Sequence, residues 1–140
     1  MNIRNPLFAL ALALPLAFGT AHAEVVVVVS AKSPVTAVTK DQAAQIFLNK
    51  SVKLPGGGAA TPIDQASGPA RGEFYTKVTG KDEAQLKAYW AQLTFTGKAQ
   101  RPKQAASAAE VRSLVAASPG AIGYLAPADV DASVRVVLKP

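Results

Sequence analysis

The sequence contains no cysteine, one histidine and one methionine among 140 residues, and both the histidine and the methionine fall within residues 1–23. This segment has a positive charge at Arg4, an apolar run at 7–18 and a final Ala-His-Ala sequence, which is the pattern of a secretory signal peptide. We therefore expect cleavage before Glu24 and export to the periplasm. The mature chain, residues 24–140, would then contain none of these three residue types.

These absences exclude several kinds of chemistry. A Ser-His-Asp or Cys-His nucleophile needs an imidazole base. Zinc sites built on histidine or cysteine, disulfides and iron–sulfur clusters need side chains that the mature chain lacks. The apolar run at 7–18 is too short to span a bilayer, and no later run is longer. We therefore predict no enzymatic activity, no catalytic residue, no metal, no cofactor and no membrane span after cleavage.

The charge balance favours an anionic ligand. Because Arg4 leaves with the signal peptide, 14 of the 15 Lys and Arg residues remain against 9 Asp and Glu, which gives the mature chain a net charge of +5. Its length suits a single domain with an ordinary core. Nucleic acid is not an expected partner for an exported protein with so few aromatic residues in its basic segments.

The patterns along the chain predict alternating strands and helices. Five consecutive valines at 25–29 indicate a strand buried on both faces, typical of the centre of a parallel sheet. Capping boxes that begin at Thr39 and Ser107 predict helix starts, and Gly80 is expected to end the helix that starts at Pro69. We predict one α/β domain of three layers around a mixed or mostly parallel sheet. Its predicted strands are 25–29, 62–64, 121–125 and 133–138, its helices 39–49, 69–79, 86–93 and 107–117, and its loops 54–59 and 98–103.

One turn has the composition of an anion site. Residues 66–72 join a predicted strand to a predicted helix, so they lie at the carboxyl edge of the sheet, where open α/β folds bind ligands. The free N–H groups and the dipole of a helix start suit an anion. Ser67 adds a hydroxyl group, and Arg71 adds a guanidinium that matches oxyanions. The same residues are equally consistent with Ser67 as a helix cap and Arg71 as a solvated surface charge.

Four segments in a fixed order carry a family resemblance that covers nearly all of the mature chain. They are residues 39–50, the strand and turn at 62–74, the Tyr-Trp and Phe-Thr-Gly sequences within 89–97, and the Pro-Gly-Ala-Ile-Gly-Tyr sequence at 119–124. Together they resemble the phosphate-type periplasmic solute-binding proteins of ABC transporters, which have a type 2 periplasmic binding fold. The chain resembles one of the two lobes of that fold, the lobe with a Ser-Gly-Thr-Arg type of loop.

The resemblance implies binding of phosphate or a similar oxyanion, in partnership with an ABC transporter. Arg71 is expected to supply the countercharge, Ser67 and the first N–H groups of the following helix to donate hydrogen bonds, and two serines after the first strand to close the same edge. The predicted ligand-binding residues are Ser30, Ser33, Ser67, Gly68, Ala70, Arg71 and Gly72.

A second hypothesis assigns the same fold to a periplasmic interaction module without a ligand. Such a module would dock on an envelope protein or on a second copy of the chain as a homodimer. Counting back from Phe74, Ala70 stands at the family's threonine and Pro69 removes an N–H group, which favours the module. Arg71 in a concavity beside Ser67 would favour the anion site, whereas Arg71 paired with Glu73 on the surface would favour the module.

Overall fold

The computed structural model describes residues 24–56, 58–98 and 100–140. The predicted signal peptide therefore lies outside the described residues, as do Gly57 and Ala99. Within the described ranges, no helix combines the length and the apolar character needed to cross a membrane. The elements are β1 (Val26–Ser30), α1 (Lys40–Phe47), β2 (Thr61–Gln65), α2 (Pro69–Phe74), a π-helical turn (Tyr75–Thr79), α3 (Glu83–Phe95), β3 (Lys103–Ala105), α4 (Ala108–Ala117), β4 (Ala121–Leu125), a 3-10 turn (Pro127–Asp129) and β5 (Val134–Leu138).

The five described strands form one mixed sheet in the order β3-β2-β4-β1-β5. β2 pairs in parallel with β3 and β4, while β1 pairs antiparallel with both β4 and β5. Four strands thus run in one direction, which confirms the predicted α/β class with a mixed, mostly parallel sheet. The expectation that the valine run lies at the centre of parallel strands is wrong, because the burial pattern of a strand carries no information about its direction.

Helices cover both faces of the sheet, and the valine run contributes to a separate core on each side. Val27 and Val29 belong to the core beneath α1, α2 and α3, whereas Val26 and Val28 belong to the core beneath α4. A strand with both faces covered needs apolar residues at every position, which explains the lack of polar alternation. The predicted three-layer architecture is therefore present.

The helix starts predicted from the two capping boxes are present, whereas α3 begins at Glu83, three residues before its predicted start. Thr39 and Gln42 form both halves of a capping box at α1. At α4 the Ser107 hydroxyl accepts a hydrogen bond from the Glu110 N–H, but the Glu110 carboxylate accepts from the N–H of Ala106 instead of Ser107. The second predicted capping box is therefore only half formed.

β3 was not among the predicted strands, and its first residue, Lys103, is the last residue of the predicted loop 98–103. Lys103 pairs with Ile63 of β2, so β3 forms one edge of the sheet. A strand of three residues is too short to show a period of two, and both Lys103 and Gln104 are exposed. Only the pairing with β2 defines it.

Candidate functional site

Asp64, the penultimate residue of β2, is the centre of a buried polar cluster. Its side chain is 4% exposed and accepts three hydrogen bonds. The Arg71 guanidinium donates through Nη1 at 2.5 Å, and the Tyr75 hydroxyl donates at 2.8 Å. The Tyr124 hydroxyl donates to the other carboxylate oxygen. With three donors, the buried carboxylate is well satisfied.

Tyr124 of β4 connects this cluster to the apolar core. Its hydroxyl accepts a hydrogen bond from the Gln65 N–H at 3.1 Å, and its carbonyl accepts from the Gln65 side chain at 3.0 Å. Its ring stacks on Phe74 with centroids 4.2 Å apart and an interplanar angle of 5°. The core thus holds β2, β4 and the end of α2 in fixed positions around Asp64.

The pKa shifts of Arg71, Tyr75 and Tyr124 fix the protonation states of these three side chains around neutral pH. Burial raises the pKa of Tyr75 and that of Tyr124, and the neighbouring Asp64 carboxylate raises both further. Burial lowers the pKa of Arg71, but the attraction and hydrogen bonds to Asp64, together with the hydrogen bonds to Glu83, outweigh it, so the pKa of Arg71 lies above its usual range. Both tyrosines therefore remain neutral donors and Arg71 remains a cation.

Arg71 is held by two carboxylates from different elements. Its Nη1 also donates to the Gln65 carbonyl at 3.1 Å, while Nε and Nη2 face the two carboxylate oxygens of Glu83 at 3.3 and 3.5 Å. Glu73 instead forms an ion pair with Lys77 at 3.5 Å. The arrangement thus corresponds to neither predicted outcome for Arg71, since Asp64 and Glu83 hold it.

The start of α2 offers backbone donors without a side-chain cap. Gly68 is the N-cap residue, its φ of 107° favours glycine, and it makes no side-chain cap hydrogen bond. Pro69 occupies the first turn, as predicted. Ser67 is exposed beside this start and does not cap the helix. The first-turn N–H groups of Ala70 and Arg71 therefore lie next to an exposed hydroxyl at the carboxyl edge of the sheet.

The structure places Ser30 and Ser33 at the opposite edge, so the expectation that they close the 66–72 turn is wrong. β1 is antiparallel to β4, with Val29 opposite Ile122, and β4 is parallel to β2. Ser30 therefore lies near the beginnings of β2 and β4, separated from the turn by the length of β2, about 13 Å. Its hydroxyl donates to the Ala116 carbonyl at 3.2 Å, and the Ser33 hydroxyl accepts from the Val35 N–H at 3.2 Å.

Among the described residues, surface cavities of about 270 to 650 Å³ are lined by residues outside the 67–72 turn. One of about 650 Å³ lies between the end of α1 and the end of α3, near Asn49 and Leu93. An apolar one of about 380 Å³ lies near Ser33, lined by Val35, Leu54 and several glycines and prolines. Residues 66–69 are exposed, so an ion at the turn would lie at the surface and remain partly hydrated.

Sequence reasoning did not find the partners of Arg71. Glu83 is 12 positions away along the chain, on a different helix, and Tyr124 is 60 positions from Asp64. Taken alone, the acidic residues 82 and 83 predict only a charge that complements the dipole of the helix they begin. Asp64 at a strand end was the one available signal, since a carboxylate buried by a sheet needs donors from neighbouring elements.

No protein-family model and no curated protein matches the chain. Solved structures do match over 81% of it. A protein from Clostridium perfringens described as a phosphate ABC transporter substrate-binding protein, with bound phosphate, gives a TM-score of 0.65 at 21% identity. A protein from Planctomyces limnophilus described as a possible phosphate-binding protein gives a TM-score of 0.59 at 16% identity. An ABC-type phosphate transport receptor from Vibrio cholerae gives a TM-score of 0.54 at 17% identity.

The chain spans less than half the length of these proteins, 44%, 40% and 45% respectively. At these identities the similarity concerns the fold. It confirms the expected architecture, a single α/β lobe of the kind found in phosphate ABC transporter substrate-binding proteins.

Proposed function

We propose that this protein is an exported binding protein that holds phosphate or a similar oxyanion at the 67–72 turn, in association with an ABC transporter. The observation that carries the proposal is the start of α2. It has no side-chain cap, and Arg71 and the exposed Ser67 lie beside it at the carboxyl edge of the sheet. The phosphate-binding proteins that share the fold support the choice of ligand.

The arrangement favours weak binding. Asp64 neutralises much of the Arg71 charge, and Pro69 has no N–H group to offer. An anion at a surface turn gains little from a low-dielectric environment. We therefore expect dissociation constants in the millimolar range at low salt, and weaker binding as salt screens the attraction.

The proposal includes no reaction, because binding breaks no bond. The predicted signal peptide at 1–23 and its removal before Glu24 belong to the same proposal, since a transporter-associated binding protein acts outside the cytoplasm. Mass spectrometry of protein expressed from the full sequence tests this part directly. A chain that begins at Glu24 supports export, and an intact residue 1 in the periplasmic fraction contradicts the cleavage site.

Calorimetric titration with phosphate at low salt tests the binding site. We expect saturable heat with the wild-type protein and none with Arg71→Ala. Arg112→Ala is the matched control, because Arg112 pairs with Asp131 at 3.2 Å, outside the proposed site, and its loss lowers the net charge equally. Sulfate competition then reports selectivity. An absence of heat up to high millimolar phosphate would remove the proposal.

A second candidate function is an interaction module, and one surface favours it. Phe95 at the end of α3 is 94% exposed, and the exposed Ala84, Ala88 and Ala91 lie on the same face of that helix at helical spacing. Sedimentation velocity of wild-type and Phe95→Ser protein tests self-association through this face. Concentration-dependent sedimentation that the substitution abolishes would favour the module, provided phosphate gives no heat.

A further inference from the structure

The two carboxylates on Arg71 differ sharply in environment. The Asp64 side chain is 4% exposed and is fixed by two tyrosine hydroxyls, whereas the Glu83 side chain is 70% exposed. Asp64 and the Gln65 carbonyl use Nη1, and Glu83 faces Nε and Nη2. The buried partner is therefore permanent, while the exposed partner can exchange with solvent.

Glu83 also faces Arg71 in the way an oxyanion does. Its oxygens lie 3.3 Å from Nε and 3.5 Å from Nη2, two oxygens against two nitrogens of one guanidinium edge. Carboxylates and phosphates both bind arginine in this side-on geometry. An oxyanion that uses the guanidinium must take this edge, because Nη1 is already engaged on the side of Asp64.

The fold allows Glu83 to leave without disturbing α3. The cap of this helix is Asp82, which forms a complete capping box with Gln85. Glu83 is the first residue of the helix and contributes no cap hydrogen bond. Its side chain can therefore rotate into solvent while the backbone of α3 stays in place.

We infer that Glu83 is an internal competitor for the oxyanion site: its carboxylate occupies the outer edge of Arg71 in the empty protein, and an incoming oxyanion displaces it. This inference rests on the proposed function and adds a means of control to it. Glu83 lowers the apparent affinity for the oxyanion. It contacts Nε and Nη2 of Arg71 again as the anion leaves, which favours release to a downstream acceptor.

The test compares phosphate titrations of wild-type, Glu83→Gln and Glu73→Gln protein, each expressed from the full sequence. Glu83→Gln removes the competing charge and should raise the affinity for phosphate about threefold, the scale of an exposed ion pair. Glu73→Gln removes the same charge from a carboxylate that pairs with Lys77, and should change the affinity much less. Thermal unfolding checks that both variants keep the wild-type stability.

A second readout follows Glu83 itself. In carbon-detected NMR, the wild-type Glu83 carboxyl resonance should shift as phosphate is added, whereas the Asp64 resonance should stay nearly constant. The inference would be overturned if wild-type and Glu83→Gln protein bound phosphate with equal affinity, or if the Glu83 resonance did not shift when phosphate binds. Either result would leave the proposed function intact. No binding by either protein would remove the proposed function, and the inference with it.

Discussion

Serines follow strands at both edges of the sheet, yet their surroundings differ completely. Ser30, at the end of β1, is fully buried and bonded to the carbonyl of Ala116. Ser67, just after β2, is exposed beside a helix start that has no side-chain cap. Both residues looked alike in the sequence, as small hydroxyl side chains in the loop after a strand.

The difference comes from strand direction. β2 and β4 are parallel, so their carboxyl ends meet at one edge, whereas β1 is antiparallel to β4 and ends at the other. A ligand site in this class of fold gathers the loops at one edge only. At the opposite edge the same residue type satisfies backbone groups and stabilises the fold.

The largest expected effect concerns Asp64, which sits at the edge proposed for binding but is buried like a core residue. We expect Asp64→Asn to lower the free energy of unfolding by about 3 kcal/mol, because it leaves a mostly buried guanidinium without its main countercharge. Urea unfolding measures the change. Asp131→Asn, which removes an exposed carboxylate, should leave the stability close to that of the wild type. A loss of stability as large as that of Asp64→Asn would contradict the expected difference between a buried and an exposed carboxylate.

A smaller effect is expected from Tyr75, whose contribution to the free energy of unfolding should depend on pH. The pKa of Tyr75 is raised in the folded protein by burial and by Asp64. The unfolded chain therefore loses this proton first, and the stabilisation from Tyr75 is complete below pH of about 10 and declines above it. The stability difference between wild-type protein and Tyr75→Phe should shrink as pH rises through this range. A constant difference across the range would show that the phenol ionises equally in both states.

The smallest effects compare the two serines directly. Ser30→Ala should cost about 1 kcal/mol of stability, since it removes the partner of a carbonyl and of the Lys32 N–H. Ser67→Ala should cost less than about 0.5 kcal/mol, because that side chain is exposed. Phosphate titration should show the reverse order, with weaker binding only in Ser67→Ala. A stability loss confined to Ser67→Ala would mean that the two edges have been assigned the wrong way round.

The sequence was most informative where a local interaction decides the structure. Thr39 and Gln42 cap α1 as their spacing predicted, Pro69 begins α2, and Gly80 ends the turn that follows with a φ of 70°. The helix N-terminus at the 67–72 turn is in this group too. Each feature depends on residues within four positions of one another.

The sequence was least informative where distant segments meet. The direction of β1 depends on its pairing with residues about a hundred positions away, so the edge of Ser30 was predicted wrongly. The engagement of Arg71 by Glu83 depends on how α3 packs, and β3 exists only through its pairing with β2. Long-range pairing of this kind leaves no local pattern in one sequence.

The uniform composition of β1 has a consequence for how the strand finds its alignment. In most strands a register shift of one residue moves the apolar side chains to the solvent-exposed face, so the shifted pairing is unstable. Here valine would replace valine on both faces, and the pairing with β5 already shifts between Val27 and Val28. The alignment must therefore be set where the run ends, by the Ser30 hydroxyl on Ala116 and the Ala31 N–H on Ser133. Loss of these hydrogen bonds would let β1 pair with its neighbours in more than one register.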